Sequence, residues 1–143
     1  MVKRIQAWLW SHYSPRLHTL YEPLDKNGQP RSNQKIGAMG EGVARDYIRS
    51  HGGKVVYKNF QAPKGGELDI VARDGDFLCF VEVKTRTKRS RYNRPMDAVN
   101  AEKRRYIFKG ARAWRGMLKS EDMLWRYDII EVILEDGCKP EVV

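Results

Sequence analysis

Gly65-Gly66-Glu67-Leu68-Asp69-Ile70-Val71-Ala72-Arg73-Asp74-Gly75-Asp76-Phe77-Leu78-Cys79-Phe80-Val81-Glu82-Val83-Lys84 is the stretch that decides how this chain of 143 residues folds. Ile70-Val71-Ala72 and Phe77 to Val81 are rich in β-branched and aromatic residues, and Asp74-Gly75 between them is a strong hairpin signal. The hairpin brings Asp69 and Glu82 to the same end. Side chains alternate along a strand, so Leu78, Phe80, Glu82 and Lys84 share one face and Cys79, Val81 and Val83 the other. Acid and amine thus continue a face that begins as apolar.

Carboxylates on such a face are costly unless paired or bound to a cation. Two of them roughly 5 Å apart repel by about 3 kcal/mol at an effective dielectric near 20. A hard divalent cation removes that repulsion, takes oxygen ligands and keeps waters and a substrate phosphate in its shell. Magnesium fits these residue types, with manganese as a substitute; zinc, which favours Cys and His, does not. Lys84 would hold or activate an attacking water, or offset charge on the phosphorus. The plain alternative is an ion pair between Glu82 and Lys84 at a sheet edge.

Ile36 to His51 has helical spacing, with Ile36, Met39, Val43, Ala44, Tyr47 and Ile48 in one apolar stripe and His51-Gly52-Gly53 as the stop. Glu41 lies at the margin of that stripe, where a glutamate is either a solvated rim residue or a third acid for the site. A helix packed on the Leu78/Phe80 face would deliver it beside Glu82. Lys54 to Phe60 reads as a strand closed by Pro63-Lys64-Gly65-Gly66. Asn100 is a plausible N-cap for a helix with Ile107, Ala111, Trp114 and Leu118 on one stripe. Leu124 to Leu134 is apolar on both sides, the pattern of an internal strand. Arg126 and Asp128 share a face there, the arrangement of a structural ion pair. The order is α-β-β-β-α-β, an α/β mixed sheet flanked by helices, with one core.

The net charge of +9 is unevenly spread. Arg86 to Lys119 carries twelve Lys and Arg against two acids, whereas Ser120 to Val143 carries two against seven. The basic block starts right after Lys84. Arg86, Lys88, Arg89, Arg91 and Arg94, with Tyr92 among them, read as a loop able to reach phosphates, or as a merely solvated basic loop. Lys103 and Arg104 flank the head of the following helix stripe, the end expected to approach the site; Arg105, Lys109 and Arg112 lie on the opposite face. Phosphate contacts position a protein without reading bases, so a nucleic acid is the expected partner, without a sequence preference.

Several blocks in order resemble one family: Gly37 to Glu41 with Ala44 and Tyr47; Gly66 to Ala72; Phe80 to Arg86; and Ala98-Val99 with Lys103. Together they resemble the YraN-like family of small bacterial proteins over roughly Ile36 to Glu135. That family is placed by prediction among the restriction-endonuclease-like PD-(D/E)XK nucleases, near the archaeal Holliday-junction resolvases. The resemblance implies a Mg-dependent endonuclease acting on DNA, with branched or junction DNA as a candidate substrate, and a homodimer as the working form. It makes Asp69 and Glu82 the metal ligands, Lys84 the catalytic lysine and Glu41 the helix-borne acid. The Val83 carbonyl becomes an extra ligand. Glu67, which a regular strand would point to the same side as Asp69, is either a supporting acid, a turn residue or a ligand. Leu68 stands where the superfamily motif often has Pro, which touches no metal-binding atom. The alternative function is a non-catalytic nucleic-acid-binding module that keeps the fold.

The expected organisation is an N-terminal arm over 1–35, a nuclease-like domain over 36–136 and a tail over 137–143. In the arm, Ile5, Trp8 and Leu9 have helical spacing before Pro15, Pro23, Gly28 and Pro30 intervene. It reads as a tail folding on the domain, a partner-binding helix or a base-stacking arm. Cys79 and Cys138 lack metal-spaced companions, and Cys79 reads as a reduced core residue. The apolar stretch after Lys3-Arg4 is too short for a signal peptide or a membrane span, so a cytoplasmic protein is expected.

Overall fold

A computed structural model describes residues 4, 5, 9, 14–87, 101–118 and 123–143, with only the backbone of Lys103. Its elements are α1 (Pro15–His18), α2 (Asn33–Ser50), β1 (Lys54–Gln61), β2 (Glu67–Asp74), β3 (Phe77–Thr87), α3 (Ala101–Gly116), β4 (Leu124–Leu134) and β5 (Glu141–Val142). The fold is mixed α/β, with one five-stranded sheet in the order β1-β2-β3-β4-β5.

β2 and β3 form the expected hairpin, paired from Asp74↔Phe77 to Ile70↔Val81, with Gly75 at φ 60° in its turn. A residue without a Cβ adopts that backbone at no steric cost. β3 and β4 are parallel from Phe77↔Leu124 to Thr87↔Leu134. Parallel neighbours need a crossover, and α3 lies between them in sequence.

The two faces of β3 are buried by different helices. Ile70, Ala72, Cys79, Val81, Val132 and Leu134 pack with Val43 and Ala44 of α2. Leu68, Val71, Leu78 and Phe80 pack with Ala111 and Trp114 of α3. The expectation that the first long helix covers the Leu78/Phe80 face is therefore corrected: both faces of β3 are apolar, and α2 takes the Cys79/Val81 face. The α3 stripe is as read, with Ile107 and Leu118 also against this cluster.

One irregularity bears on the site. Leu68 and Val71 face α3 whereas Ile70 and Ala72 face α2, so the alternation of β2 slips by one residue at Asp69. On β1 the opposite position is Asn59, at φ 51° and outside the pairing that joins Phe60↔Leu68 and Lys58↔Ile70. Asparagine tolerates that left-handed backbone better than most residues.

The packed unit extends past residues 36–136 in both directions. α2 begins at Asn33, capped by Ser32, whose hydroxyl accepts from Lys35 N at 3.2 Å. Tyr21 is buried in the α2-side core, and its N–H donates to the Cys138 carbonyl at 2.8 Å. Arg16 reaches the buried Asp46 of α2 at 3.4 Å. Among the arm's three readings, residues 14–31 follow the first and fold on the domain; most of 1–13 lies outside the described residues. At the other end β5 pairs with Val132 and Ile133. Among the described residues β4 is thus internal only at its C-terminal end, and its first half, with Leu124, Trp125 and Ile129 exposed, has no second neighbour. Arg126 and Asp128 form the structural ion pair expected, at 2.9 Å, joined by Asp74 at 3.1 Å. Cys79 is a buried free thiol, its pKa pushed up to about 11, first by burial. No helix among the described residues is long and apolar enough to cross a membrane.

Candidate active site

The ladder between β2 and β3 stops at Ile70↔Val81, yet β3 runs on to Thr87. At the next rung Oδ2 of Asp69 accepts the Val83 N–H at 2.8 Å. A side chain thus takes the place of a backbone carbonyl, and the two strands part there as a fork. Within an extended residue N–H and C=O point to the same side, so the Val83 carbonyl points into the fork with Asp69.

Glu82 is one residue away and 5 % exposed. Asp69 lies close enough to Glu82 for the two charges to oppose one another, and a hydrogen bond between the carboxyls forms only when one of them is protonated. Burial, then the Glu82 charge, raise the Asp69 pKa to about 7, against the lowering effect of the Val83 N–H. Lys84 Nζ stands 3.5 Å from Glu82 Oε1. Two acids and an ammonium group are thus gathered in a largely water-excluded fork.

Glu41 arrives from the other face. Its carboxyl pKa is raised by burial, held back by Arg45, and raised further by Glu82 and Glu67. It lines a concavity of about 280 Å³ with Ile36 and Gly37 of α2 and Val83, Thr85 and Thr87 of β3. Among the described residues no three His, Cys, Asp or Glu side chains are gathered as a metal-holding cluster. Asp69 and Glu82 make the pair, and Glu41 reaches it through the field, so the expected three-acid cage is not assembled. Glu67 is exposed at the mouth of the fork, close enough to act on Glu41.

The basic residues divide. Arg86 reads in sequence as the first of the phosphate-reaching loop, but β3 continues through it. It is 7 % exposed, with Nε 2.8 Å from Glu131 Oε1. That burial removes it from the DNA-facing set. Lys88, Arg89, Arg91 and Arg94 lie outside the described residues, as does the Lys103 side chain. Arg104 is exposed on the first turn of α3. Trp114 packs on Phe80 with ring centroids 6.4 Å apart, and a Cβ on Gly110 would lie 3.1 Å from Leu68 Cγ. Going back along α3 from Trp114 to Gly110 therefore moves toward the open end of β3.

The contact that seats Glu41 escapes the sequence reading. A Cβ on Gly40 would collide with Thr85 Oγ1 and come within 2.7 Å of Thr85 Cβ. Only glycine lets α2 lie this close to β3. The available signal is the pair of small residues Gly40 and Ala44, four apart on the apolar stripe. Glu131, the partner of Arg86, has no local signal.

The chain matches the family described as Uncharacterised protein family UPF0102 over residues 40–132. It belongs to that family, the YraN family. A UPF0102 protein of Trichlorobacter lovleyi is 40 % identical over 113 residues, 78 % of this chain and 87 % of its own. One of Geobacter metallireducens is 40 % identical over 110 residues, 77 % and 88 % of the two chains. One of Pelobacter propionicus is 44 % identical over 112 residues, 77 % and 79 %. The matched span of this UPF0102 chain holds the whole fork: Glu41, Glu67, Asp69, Glu82, Val83 and Lys84.

Proposed function

We propose that this UPF0102 protein is a metal-dependent endonuclease that hydrolyses phosphodiester bonds in DNA, on a restriction-endonuclease-like PD-(D/E)XK fold. The observation that carries the reading is the fork itself, with Asp69 held by the Val83 N–H at 2.8 Å beside the buried Glu82, and Lys84 3.5 Å from Glu82. A structural ion pair of Glu82 and Lys84 would need no second buried acid. Asp69 adds a charge that burial and Glu82 both oppose, a cost the fold has no reason to bear unless a cation or a proton is taken up there.

The donor set fits a hard cation such as Mg²⁺, with Mn²⁺ as substitute. Asp69, Glu82 and the Val83 carbonyl offer oxygen only, and magnesium is commonly held by one or two carboxylates with water and phosphate completing its shell. A bound divalent ion supplies charge for the phosphate oxygens and makes water more acidic. The chain's own residues do the rest. The Val83 N–H fixes the Asp69 carboxylate. Glu82 holds the Lys84 ammonium beside the pair, where it orients the attacking water or offsets charge growing on phosphorus. Glu41 adds negative field from the α2 side. Arg104, exposed at the head of α3, steers the DNA backbone.

The test is cleavage of DNA with Mg²⁺ or Mn²⁺ by the full chain and by Asp69→Ala and Lys84→Ala. Cutting is expected to vanish in both variants while binding stays nearly intact. Equal cutting by the variants, or none by the parent, would refute the reading, and binding without cutting would leave a non-catalytic nucleic-acid-binding module.

A further inference from the structure

We propose that the outer edge of β4 pairs with the same edge of a second copy of the chain, antiparallel, about a two-fold axis at Tyr127. Glu131 exchanges both backbone bonds with Val143, at 3.0 and 2.9 Å, so its N–H and C=O point away from β3. By alternation those of Trp125, Tyr127 and Ile129 point the same way. β5 pairs only with Val132 and Ile133, and among the described residues no backbone bond reaches those three outward positions.

An edge strand is normally blunted by charged side chains, Lys above all, by Pro or by a bulge. Leu124 to Ile130 has no Lys, Pro or bulge, its two charges, Arg126 and Asp128, pair with each other, and its register with β3 is unbroken. Instead it exposes grease: Ile129 is 51 % exposed and Trp125 36 %, with Phe108 of α3 joined to them through Tyr127 at a ring distance of 4.6 Å. An apolar patch along an unpaired edge marks a surface that another element covers.

The strand is complementary to itself. About Tyr127, Trp125 opposes the partner's Ile129, an aromatic against a β-branched residue, which is a favourable cross-strand pair. Arg126 opposes the partner's Asp128, and Asp128 the partner's Arg126. Both are partly exposed, at 41 % and 34 %, so the pair already formed in one chain becomes four alternating charges across the axis. A different register by one or two residues would lose this match. The axis stands perpendicular to the sheet, so both α3 helices lie on one side of a continuous sheet. Val143, level with Glu131, limits the pairing to residues 125–129. An isologous contact of this kind closes after two chains.

Sedimentation of the full chain tests this. The parent is expected at twice the chain mass of 16.7 kDa. Arg126→Asp and Asp128→Arg, each alone, place like charges across the axis and should sediment as single chains. Mixed in equal amounts they are complementary again and should recover the dimer, an outcome that misfolded variants cannot give. Ile129→Pro removes an outward N–H that no described residue accepts, and should give a single chain with an unchanged far-UV spectrum. A parent of single-chain mass, a dimer indifferent to all three substitutions, or a mixture of folded variants that stays monomeric would overturn the proposal.

Discussion

Asp69 Oδ2 accepts the Val83 N–H at 2.8 Å, where the next backbone rung between β2 and β3 would otherwise fall. This bond holds a carboxylate in the fork although burial and Glu82 push its pKa to about 7. A folded pKa above the unfolded value of about 3.9 means that the native state binds the proton more tightly. The contribution to stability is complete below about pH 4 and is lost as pH rises through 7. Without metal, the melting temperature should therefore fall between pH 5 and 8, and Mg²⁺ should restore it at pH 8. Asp69→Asn keeps an acceptor for Val83 and a donor for Glu82, so its melting temperature should exceed the parent's at pH 8 and ignore Mg²⁺. Thermal denaturation across pH, with and without the ion, checks both.

The proton that Asp69 keeps up to about pH 7 also links metal binding to pH. A divalent ion must displace it, so affinity should climb from pH 5 to about 7 and then level off, with close to one proton released per ion at the acid end. Titration calorimetry in buffers of different ionisation enthalpy reads the proton count directly. Affinity independent of pH across this range would mean that the ion binds elsewhere.

The hairpin, the pairing of Asp69 with Glu82 and the α3 stripe are legible in the sequence because each rests on local signals: Asp74-Gly75, alternation, and apolar residues three or four apart. Which helix covers which face is not. Leu78 and Phe80 are as apolar as Cys79 and Val81, and alternation says which residues share a face without saying what lies on it. The slip at Asp69 is also hidden, since its only mark is Asn59 on the neighbouring strand, and a single asparagine in a strand pattern does not announce a left-handed backbone. Arg86 looks like loop because it opens a basic run, and its partner Glu131 comes from a strand 45 residues later in sequence. β5 is two residues long, too short for a periodic signal.

The Gly40 contact with Thr85 predicts a linked loss of stability and site geometry. Gly40→Ala should cost about 1–3 kcal/mol, because α2 must move off β3 to admit the methyl group. Glu41 moves with it. Thr85→Ala in the same chain should recover part of that loss, since it removes Oγ1 and Cγ2 but leaves the Cβ contact. Chemical denaturation of the single and double variants measures the coupling, and additive effects would contradict it.

The division of the basic residues predicts opposite behaviour for two arginines. For about six phosphate contacts, log affinity for duplex DNA should fall against log salt with a slope near −5. Arg104→Ala should make the slope shallower by about 0.9. Arg86→Gln should leave it unchanged while destabilising the fold, because Glu131 loses its buried partner. Binding measured over a series of salt concentrations separates the two.

Cleavage assayed on linear, single-stranded, nicked, flapped and four-way DNA, with Mg²⁺ or Mn²⁺ and beside Glu82→Ala, tests the central claim most directly. The fork of Asp69, Glu82 and Lys84 predicts metal-dependent cutting of at least one of these forms, lost in Glu82→Ala while binding persists. Binding by the parent with no cutting of any form in either metal, or cutting that survives Glu82→Ala, would contradict it.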